Sequence, residues 1–392
     1  MIVRYEPWGA WVKVEREPAL VALDQDGVRA LGLDGGAAWT SPPPASMPLE
    51  LHLAVTSRCA AGCEGCYLDA RPDGLDRPRA ELEAELEAVA RAGVFTVAFG
   101  GGEPTLRKDL GDLADAARAR GLTPVVTTSG LGLDEARAGA LARFAQVNVS
   151  HDGAGAGYAE VRGFDGARHA EAAIAMLAAR GVRVGVNVVL TRATFDGLGE
   201  TVRRVRALGA REVQLLRYKP AGRATGLDYL ARRLAPAQVL AFPALLRALA
   251  AEHGEALRVR VDCALVPFLA SDADLASRPE ELARWGVLGC EAGAALGAGR
   301  VDGRLAPCSF APALEEATTD LARAWRAGGG LGPFRRHVEA PPEPCASCTL
   351  RAVCRGGCKV VSAHLHPESV GPDGFAPDPE CPRVRAHAGA PG

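Results

Sequence analysis

The hydrophobic pattern divides the chain into three stretches. From Leu49, short apolar runs alternate with amphipathic ones. The apolar runs fall at 50–55, 94–99, 122–127, 146–150, 182–190 and 212–217, and their length and β-branched content predict strands. Between them, apolar residues recur at helical spacing at about 79–92, 109–120, 134–143, 167–180 and 197–208. Gly93, Gly121, Gly181 and Gly209 end four of these helices just before the next strand. Glycine stops a helix there because it takes the left-handed conformation at little cost. Strands alternating with helices predict parallel βα units with right-handed crossovers. An open doubly wound sheet and a partial barrel both fit this pattern. In a barrel, chemistry is expected just after the C-terminal ends of the strands.

The flanking stretches read differently. Residues 1–48 form a β-rich prefix, in which Ala10–Val14 and Ala19–Leu23 are candidate paired strands. Ser41-Pro42-Pro43-Pro44 reads as a stiff linker at its end. Beyond the alternating region (49–227), residues 228–284 form a helical bridge, with Pro236 and Pro243 as breaks. In 285–383 the periodicity fades and Gly, Pro and Cys take over, as expected where metal ligands replace a hydrophobic core. Gly328-Gly329-Gly330 and the tail 384–392 are expected to be flexible.

Composition narrows the partners. The chain has 392 residues, 48% hydrophobic, with 45 basic and 47 acidic side chains and a formal net charge of −2. No basic block calls for nucleic acid or a membrane surface. No basic run followed by an apolar core opens the sequence, so no secretory signal is expected and a cytoplasmic location is. The eleven cysteines fall in tight clusters and are odd in number, which favours metal ligation over disulfides.

The first predicted strand runs into Cys59-Ala60-Ala61-Gly62-Cys63-Glu64-Gly65-Cys66-Tyr67. A [4Fe–4S] cube has four irons, so three thiolates leave one iron open for chemistry. Gly62 and Gly65 suit a tight loop around a bulky cube. A zinc site is the alternative, with His52 the nearest candidate for a fourth ligand. Cys59, Cys63 and Cys66, with Tyr67 after them, resemble the CxxxCxxC motif of the radical SAM superfamily. That resemblance implies that S-adenosylmethionine (SAM) binds the open iron and is cleaved to a 5′-deoxyadenosyl radical.

The same resemblance extends along the alternating region. Gly101-Gly102-Glu103-Pro104, after the second strand, is similar to the family's GGEP motif, which holds the SAM amino group. Ser129 and Ser150, after the third and fourth strands, are similar to its ribose and carboxylate contacts, although family members often carry Asn in place of Ser129. Asp152 reads as a turn former. Arg162 is similar to an arginine that pairs with the SAM carboxylate, or else faces solvent. Asn187 either touches SAM or satisfies a buried backbone group. Arg217 and Lys219 share a strand face and either line a substrate cavity or form a salt bridge across the barrel mouth.

The other cysteines run Cys290, Cys308, then Cys345-x2-Cys348-x5-Cys354-x3-Cys358, then Cys381. Gly303 lies between the first two. This resembles the SPASM domain, a carrier of two auxiliary clusters, with a zinc ribbon as the alternative. The resemblance implies an inner cluster on Cys290, Cys308 and Cys358 and an outer one on Cys345, Cys348, Cys354 and Cys381. The inner cluster is then one ligand short. Cys263 is the only cysteine left: it either completes that cluster or is a buried inert thiol beside an open iron.

The fold expected from the resemblance is a partial (β/α)6 barrel followed by a small, irregular cysteine-rich SPASM domain. It covers residues 49–217 and 285–383. It implies SAM and three [4Fe–4S] clusters as cofactors, a flavodoxin- or ferredoxin-type electron donor, and oxidative modification of a ribosomally made peptide. Alternatives are the same chemistry on a protein side chain, small molecule or tetrapyrrole, or a non-catalytic electron carrier or sensor. Tyr5, Trp8 and Trp11 either contact a peptide strand or pack against the barrel.

Overall fold

Six strands, each followed by a helix or turn, lie side by side in chain order. The computed structural model describes residues 1–14, 19–40, 47–153, 156–314 and 321–389. The expected linker Ser41–Pro44 lies outside them. Strands β1 (Ile2–Glu6), β2 (Gly9–Val14) and β3 (Ala19–Asp24) form an antiparallel sheet of their own. Strands β4 (Glu50–Thr56), β5 (Thr96–Gly101), β6 (Thr123–Thr128), β7 (Gln146–Ser150), β8 (Val184–Leu190) and β9 (Glu212–Arg217) are all parallel. Their spatial order is their sequence order, with no reversal. A doubly wound sheet reverses at a switch point. This sheet does not, so its helices share one side and it curls as a partial barrel.

Strand alternation separates the two faces. Leu51, Leu53, Val55, Val97, Phe99, Val147, Val149, Val186 and Val188 are buried in one core with Leu82, Leu86, Val89, Leu113, Ile174, Val202 and Val205 of the helices. Burying each such side chain is worth about 1.5–3 kcal/mol. The other face carries Gln146, Asn148, Ser150, Gly185, Asn187 and Gln214, small or polar residues suited to a cavity. A Cβ on Gly185 would lie 2.2 Å from Asn148 Oδ1, so glycine there leaves room for the amide. Gly93, Gly121, Gly181 and Gly209 all have positive φ (82°, 77°, 74° and 102°), as expected for helix stops.

Several elements extend or revise the sequence expectations. Strand β10 (Arg258–Val261), inside the expected helical bridge, pairs parallel with β9. Strand β11 (Leu296–Gly299) pairs parallel with β4, and β12 (Leu305–Ala306) antiparallel with β11. The cysteine-rich region thus continues the barrel sheet at its β4 edge, and with β10 at the other edge the sheet has nine strands among the described residues. Pro236 begins a helix, but Pro243 does not break it: the helix runs Pro236–His253 with Pro243 buried. Gly329–Leu331 is a 3-10 turn that seats a fully buried Leu331, and Pro382–His387 is helical.

The prefix docks on the end of the barrel remote from the strand C-termini. Arg4 donates to the Pro48 and Gly93 carbonyls (3.0 and 2.9 Å), and Lys13 to that of Gly121 (2.7 Å). Tyr5 packs on Trp39 and Trp8 on Trp11, at centroid distances of 6.4 and 5.5 Å.

Candidate active site

The cysteine loop leaves β4 at Thr56 and is fastened on all sides. Thr56 donates through its hydroxyl to Asp76 (2.6 Å), and Arg58 Nη2 donates to Asp76 and to the Leu106 carbonyl (2.7 and 3.0 Å). The Cys59 amide donates to the Arg71 carbonyl (2.8 Å). Gly62 has φ of 67°, which requires glycine-like freedom, whereas Gly65 does not adopt a positive φ. Burial raises the Cys59 thiol pKa, and Glu103, Cys63 and Cys66 add to the shift, so the three thiols form one electrostatic group. His52 lies apart from them, bonded to Ser309 Oγ (2.7 Å) and Glu50 (2.8 Å).

Sequence reasoning passed over Arg223, which clamps this loop. It donates to the Cys63 carbonyl (2.8 Å), the Ala70 carbonyl (2.8 Å) and Asp69 (2.9 Å), while its amide donates to the Cys66 carbonyl (2.9 Å). A Cβ on the preceding Gly222 would sit 2.5 Å from Cys66 O. The Gly-Arg pair just past the sixth βα strand was the only available signal.

The Gly-rich strap lies directly against the cysteine loop. The Gly102 amide donates to the Thr56 carbonyl (2.7 Å) and that of Glu103 to the Arg58 carbonyl (2.9 Å). A Cβ on Gly101 would lie 2.1 Å from Thr56 O, and one on Gly102 2.2 Å from Arg58 O. Close backbone approach therefore accounts for both glycines. Pro104 is buried and starts a 3-10 turn. Glu103 is buried too, and its two oxygens are occupied by the chain. Oε1 accepts from Thr105 N, Thr105 Oγ1 and Thr128 Oγ1 (3.2, 2.7 and 2.7 Å), and Oε2 from Ser129 N and Oγ (2.8 and 2.6 Å). Glu103 and Ser129 thus join the strap to the end of β6.

Across the barrel mouth stands Arg162, on a helix (Ala156–Arg162) that the hydrophobic pattern did not reveal. It is half-buried and does not face solvent. Its Nε donates to Asp152 Oδ2 (2.5 Å) and its Nη1 to Cys63 Sγ (3.8 Å). Burial opposes its charge, yet Asp152 and Cys63 outweigh burial and hold it protonated. Asp152 does more than shape a turn: it is fully buried and also accepts from the Val189 amide (2.8 Å). Ser150 and Asn187 face each other in the β7–β8 register. Among the described residues, Asn187 Oδ1 is buried without a hydrogen-bond partner. A buried unpaired amide oxygen is costly, so it suits a ligand's donor.

Tyr67 reaches the cysteine-rich region, packing on Phe310 at 4.7 Å. Burial, with Cys66, pushes its hydroxyl up to about 12. Arg217 is on the buried side of β9 with Val213 and Leu215. It donates to Asp378 (2.6 and 3.0 Å), Glu380 (2.7 Å) and the Ala264 carbonyl (3.0 Å). Lys219 is ion-paired with Asp262.

All eleven cysteines are free thiols. The eight in the C-terminal half fall into two groups. Burial raises Cys263, and Cys290 and Cys358 act on it; Cys290 also acts on Cys308 and Cys358. Burial raises Cys345 to about 12 and Cys381 to about 11. Cys381 and Cys348 act on Cys345, Cys348 acts on Cys381, and Cys381 and Cys345 act on Cys354. Cys345, Cys348, Cys354 and Cys381 line a cavity enclosing about 350 Å³ of atom-free space, part of it open to solvent. A cavity lined by four cysteines fits a metal cluster, whose binding offsets the unfavourable ionisation of these thiols.

Comparison with known proteins agrees with this geometry. The Radical SAM superfamily model matches residues 53–205. The PqqA peptide cyclase of Gluconobacter oxydans is 30% identical over 332 residues, covering 80% of this chain and 86% of its own. That of Ruegeria pomeroyi is 28% identical over 371 residues, covering 90% and 91%. Streptococcus suis SuiB bound to precursor peptide SuiA superposes with a TM-score of 0.75 at 18% identity, covering 97% of this chain and 98% of its own. The structure of anSMEcpe with bound AdoMet and Cp18Cys peptide gives 0.63 at 18% identity, covering 87% and 97%. With its cysteine loop, Gly-rich strap and C-terminal cysteine array in place, the chain belongs to the radical SAM superfamily, among its SPASM-type members.

Proposed function

We propose that this enzyme oxidatively modifies a ribosomally made peptide, using SAM and three [4Fe–4S] clusters. The observation that carries the auxiliary part is that Cys345, Cys348, Cys354 and Cys381 line one cavity, while Cys263, Cys290, Cys308 and Cys358 are electrostatic neighbours of one another. Cys59, Cys63 and Cys66 would hold the first cluster, Cys263, Cys290, Cys308 and Cys358 the inner auxiliary one, and Cys345, Cys348, Cys354 and Cys381 the outer. The reading of Cys263 as a ligand is supported by its place beside Cys290 and Cys358. When bound, the first cluster supplies the electron that breaks the S–C5′ bond of SAM.

The chain's own residues orient the cofactor. Gly101, Gly102 and Pro104 press the strap onto the cysteine loop, and Glu103 with Ser129 fixes its height. Arg162, aimed by Asp152, offers a fixed positive fork to the SAM carboxylate. Ser150 and Asn187 offer polar groups on the inner face of the barrel, and Tyr67 closes the site toward Phe310. The relatives named for peptide cyclisation, and SuiB with its precursor peptide, support the peptide reading. The division into prefix 1–48, barrel 49–227, bridge 228–284, SPASM domain 285–383 and tail 384–392 belongs to the same proposal. So do a flavodoxin- or ferredoxin-type donor and a cytoplasmic location. Among the described residues, no helix is long and apolar enough to cross a membrane.

The test is anaerobic reconstitution followed by turnover with SAM, reduced flavodoxin and a candidate peptide encoded beside the gene. About twelve irons per chain, 5′-deoxyadenosine by chromatography and a mass loss in the peptide are expected. Zinc with little iron, or no 5′-deoxyadenosine, would refute the reading.

A further inference from the structure

Beside the inner cysteine group lies a buried ion pair that the proposed function leaves unused. Lys219 follows β9, and its Nζ pairs with Asp262, the residue before Cys263. The same Nζ lies 4.4 Å from the ring centroid of Phe310, two residues after Cys308. Lys219 and Asp262 are each only 7% exposed. Tyr218, next to Lys219, packs in one small apolar cluster with Cys358 and Cys263. An ammonium is thus held between Asp262, next to Cys263, and Phe310, two residues after Cys308.

The ammonium end of the pair lies against Phe310, near Cys308, and the carboxylate end belongs to the residue before Cys263. The outer group has a different cation: Lys359 acts on Cys345 and Cys354 and donates to the Gly357 carbonyl (3.2 Å). Burying an ion pair is often no better for stability than apolar packing of the same volume. Stability alone therefore gives no reason for Lys219.

We propose that Lys219, positioned by Asp262, raises the reduction potential of the inner auxiliary cluster and not that of the outer one. The inference rests on the reading that Cys263, Cys290, Cys308 and Cys358 hold a cluster. Net charge around a cluster sets its potential. One added electron makes the thiolate-bound group one unit more negative, and a fixed cation in a low-dielectric interior stabilises that charge. The couple is one electron in and one out, delivered by dithionite and removed by ferricyanide in the titration. No bond or proton is transferred.

An EPR-monitored redox titration of the reconstituted full-length enzyme tests this. The inner signal is the one that persists both in a Cys345→Ala/Cys348→Ala variant and in a Cys59→Ala/Cys63→Ala/Cys66→Ala variant. Lys219→Met is expected to lower the inner couple, cutting the reduced-to-oxidised ratio at fixed potential about tenfold, or about 59 mV for one electron. The outer couple should stay in place, and iron should stay at about twelve per chain. Lys219→Arg, which keeps the charge, should restore most of the shift. An inner couple unmoved in Lys219→Met overturns the proposal, as does equal movement of both couples. If Lys219→Met loses inner iron, Lys219→Gln, which removes the charge and keeps a hydrogen-bond donor for Asp262, is titrated instead under the same criteria. A wild-type enzyme holding only about four irons would sink the cluster assignment itself, a different result from an unmoved couple.

Discussion

Replacing Arg217 by Met should loosen the cysteine-rich region from the barrel. The guanidinium makes two bonds to Asp378, one to Glu380 and one to the Ala264 carbonyl, and lies 4.9 Å from the Phe268 ring centroid. Asp378 and Glu380 are each 1% exposed. Removing one partner of a buried pair costs about 3–5 kcal/mol because the other charge stays buried. Here the low end applies. Glu380 keeps Arg233 (2.7 Å), and Asp378 keeps the Cys358 and Glu380 amides (2.9 and 3.1 Å). Met keeps the contact with Phe268. A loss of about 3 kcal/mol raises the open population about a hundredfold, at about 1.4 kcal/mol per factor of ten. Hydrogen exchange of the anaerobic holoenzyme reads this directly. Amides around Cys358 and Cys381 should exchange about a hundredfold faster, while those of β5–β7 should be unchanged. Exchange within about threefold of wild type would show that the network is not what holds the two parts together. Arg217→Lys should fall between, since a point charge cannot bridge both carboxylates as a fork does.

Further predictions concern the cysteines and the strap. Cys59, Cys63 and Cys66 changed together to Ala should abolish 5′-deoxyadenosine formation and leave about eight irons; retained SAM cleavage would disprove the assignment of that loop. Cys263→Ala should leave SAM cleavage intact, make the inner cluster more labile and reduce peptide turnover; unchanged spectra and turnover would make Cys263 a structural thiol. Gly102→Ala places a methyl 2.2 Å from Arg58 O. It should cost about four irons and SAM binding by calorimetry, and a variant with wild-type iron and affinity would refute the close-approach argument.

The sequence exposed the barrel because its strands are buried on one face and its helices end at positive-φ glycines, both local signals. It did not expose β10 and β11. Each has only four residues, and each owes its pairing to a strand distant in sequence. The helix carrying Arg162 was hidden because its 7 residues, two turns, are too few to show an apolar period. The cysteine motifs stood out by their spacing, and their division into ligand sets came from their resemblance to the radical SAM and SPASM patterns. The partners of the charged residues were not legible. Arg217 read equally as cavity lining or salt bridge, because Asp378 and Glu380 lie 161 and 163 residues away. Asp152 read as a turn former, because nothing local reveals that it is fully buried beneath Arg162.

The pairing of β11 with β4 has a consequence for dissecting the protein. A fragment ending before Leu296 would lose the strand whose Leu296, Gly297, Ala298 and Gly299 lie against Glu50, Leu51, His52 and Leu53. The barrel would then present the row of backbone amides and carbonyls along β4 to solvent, immediately before the cysteine loop. An unpaired edge of that kind recruits other chains. Excising the C-terminal region therefore does not yield a free-standing catalytic core. It turns the first barrel strand into a template for aggregation, and the fragment should sediment as large assemblies where the intact chain does not.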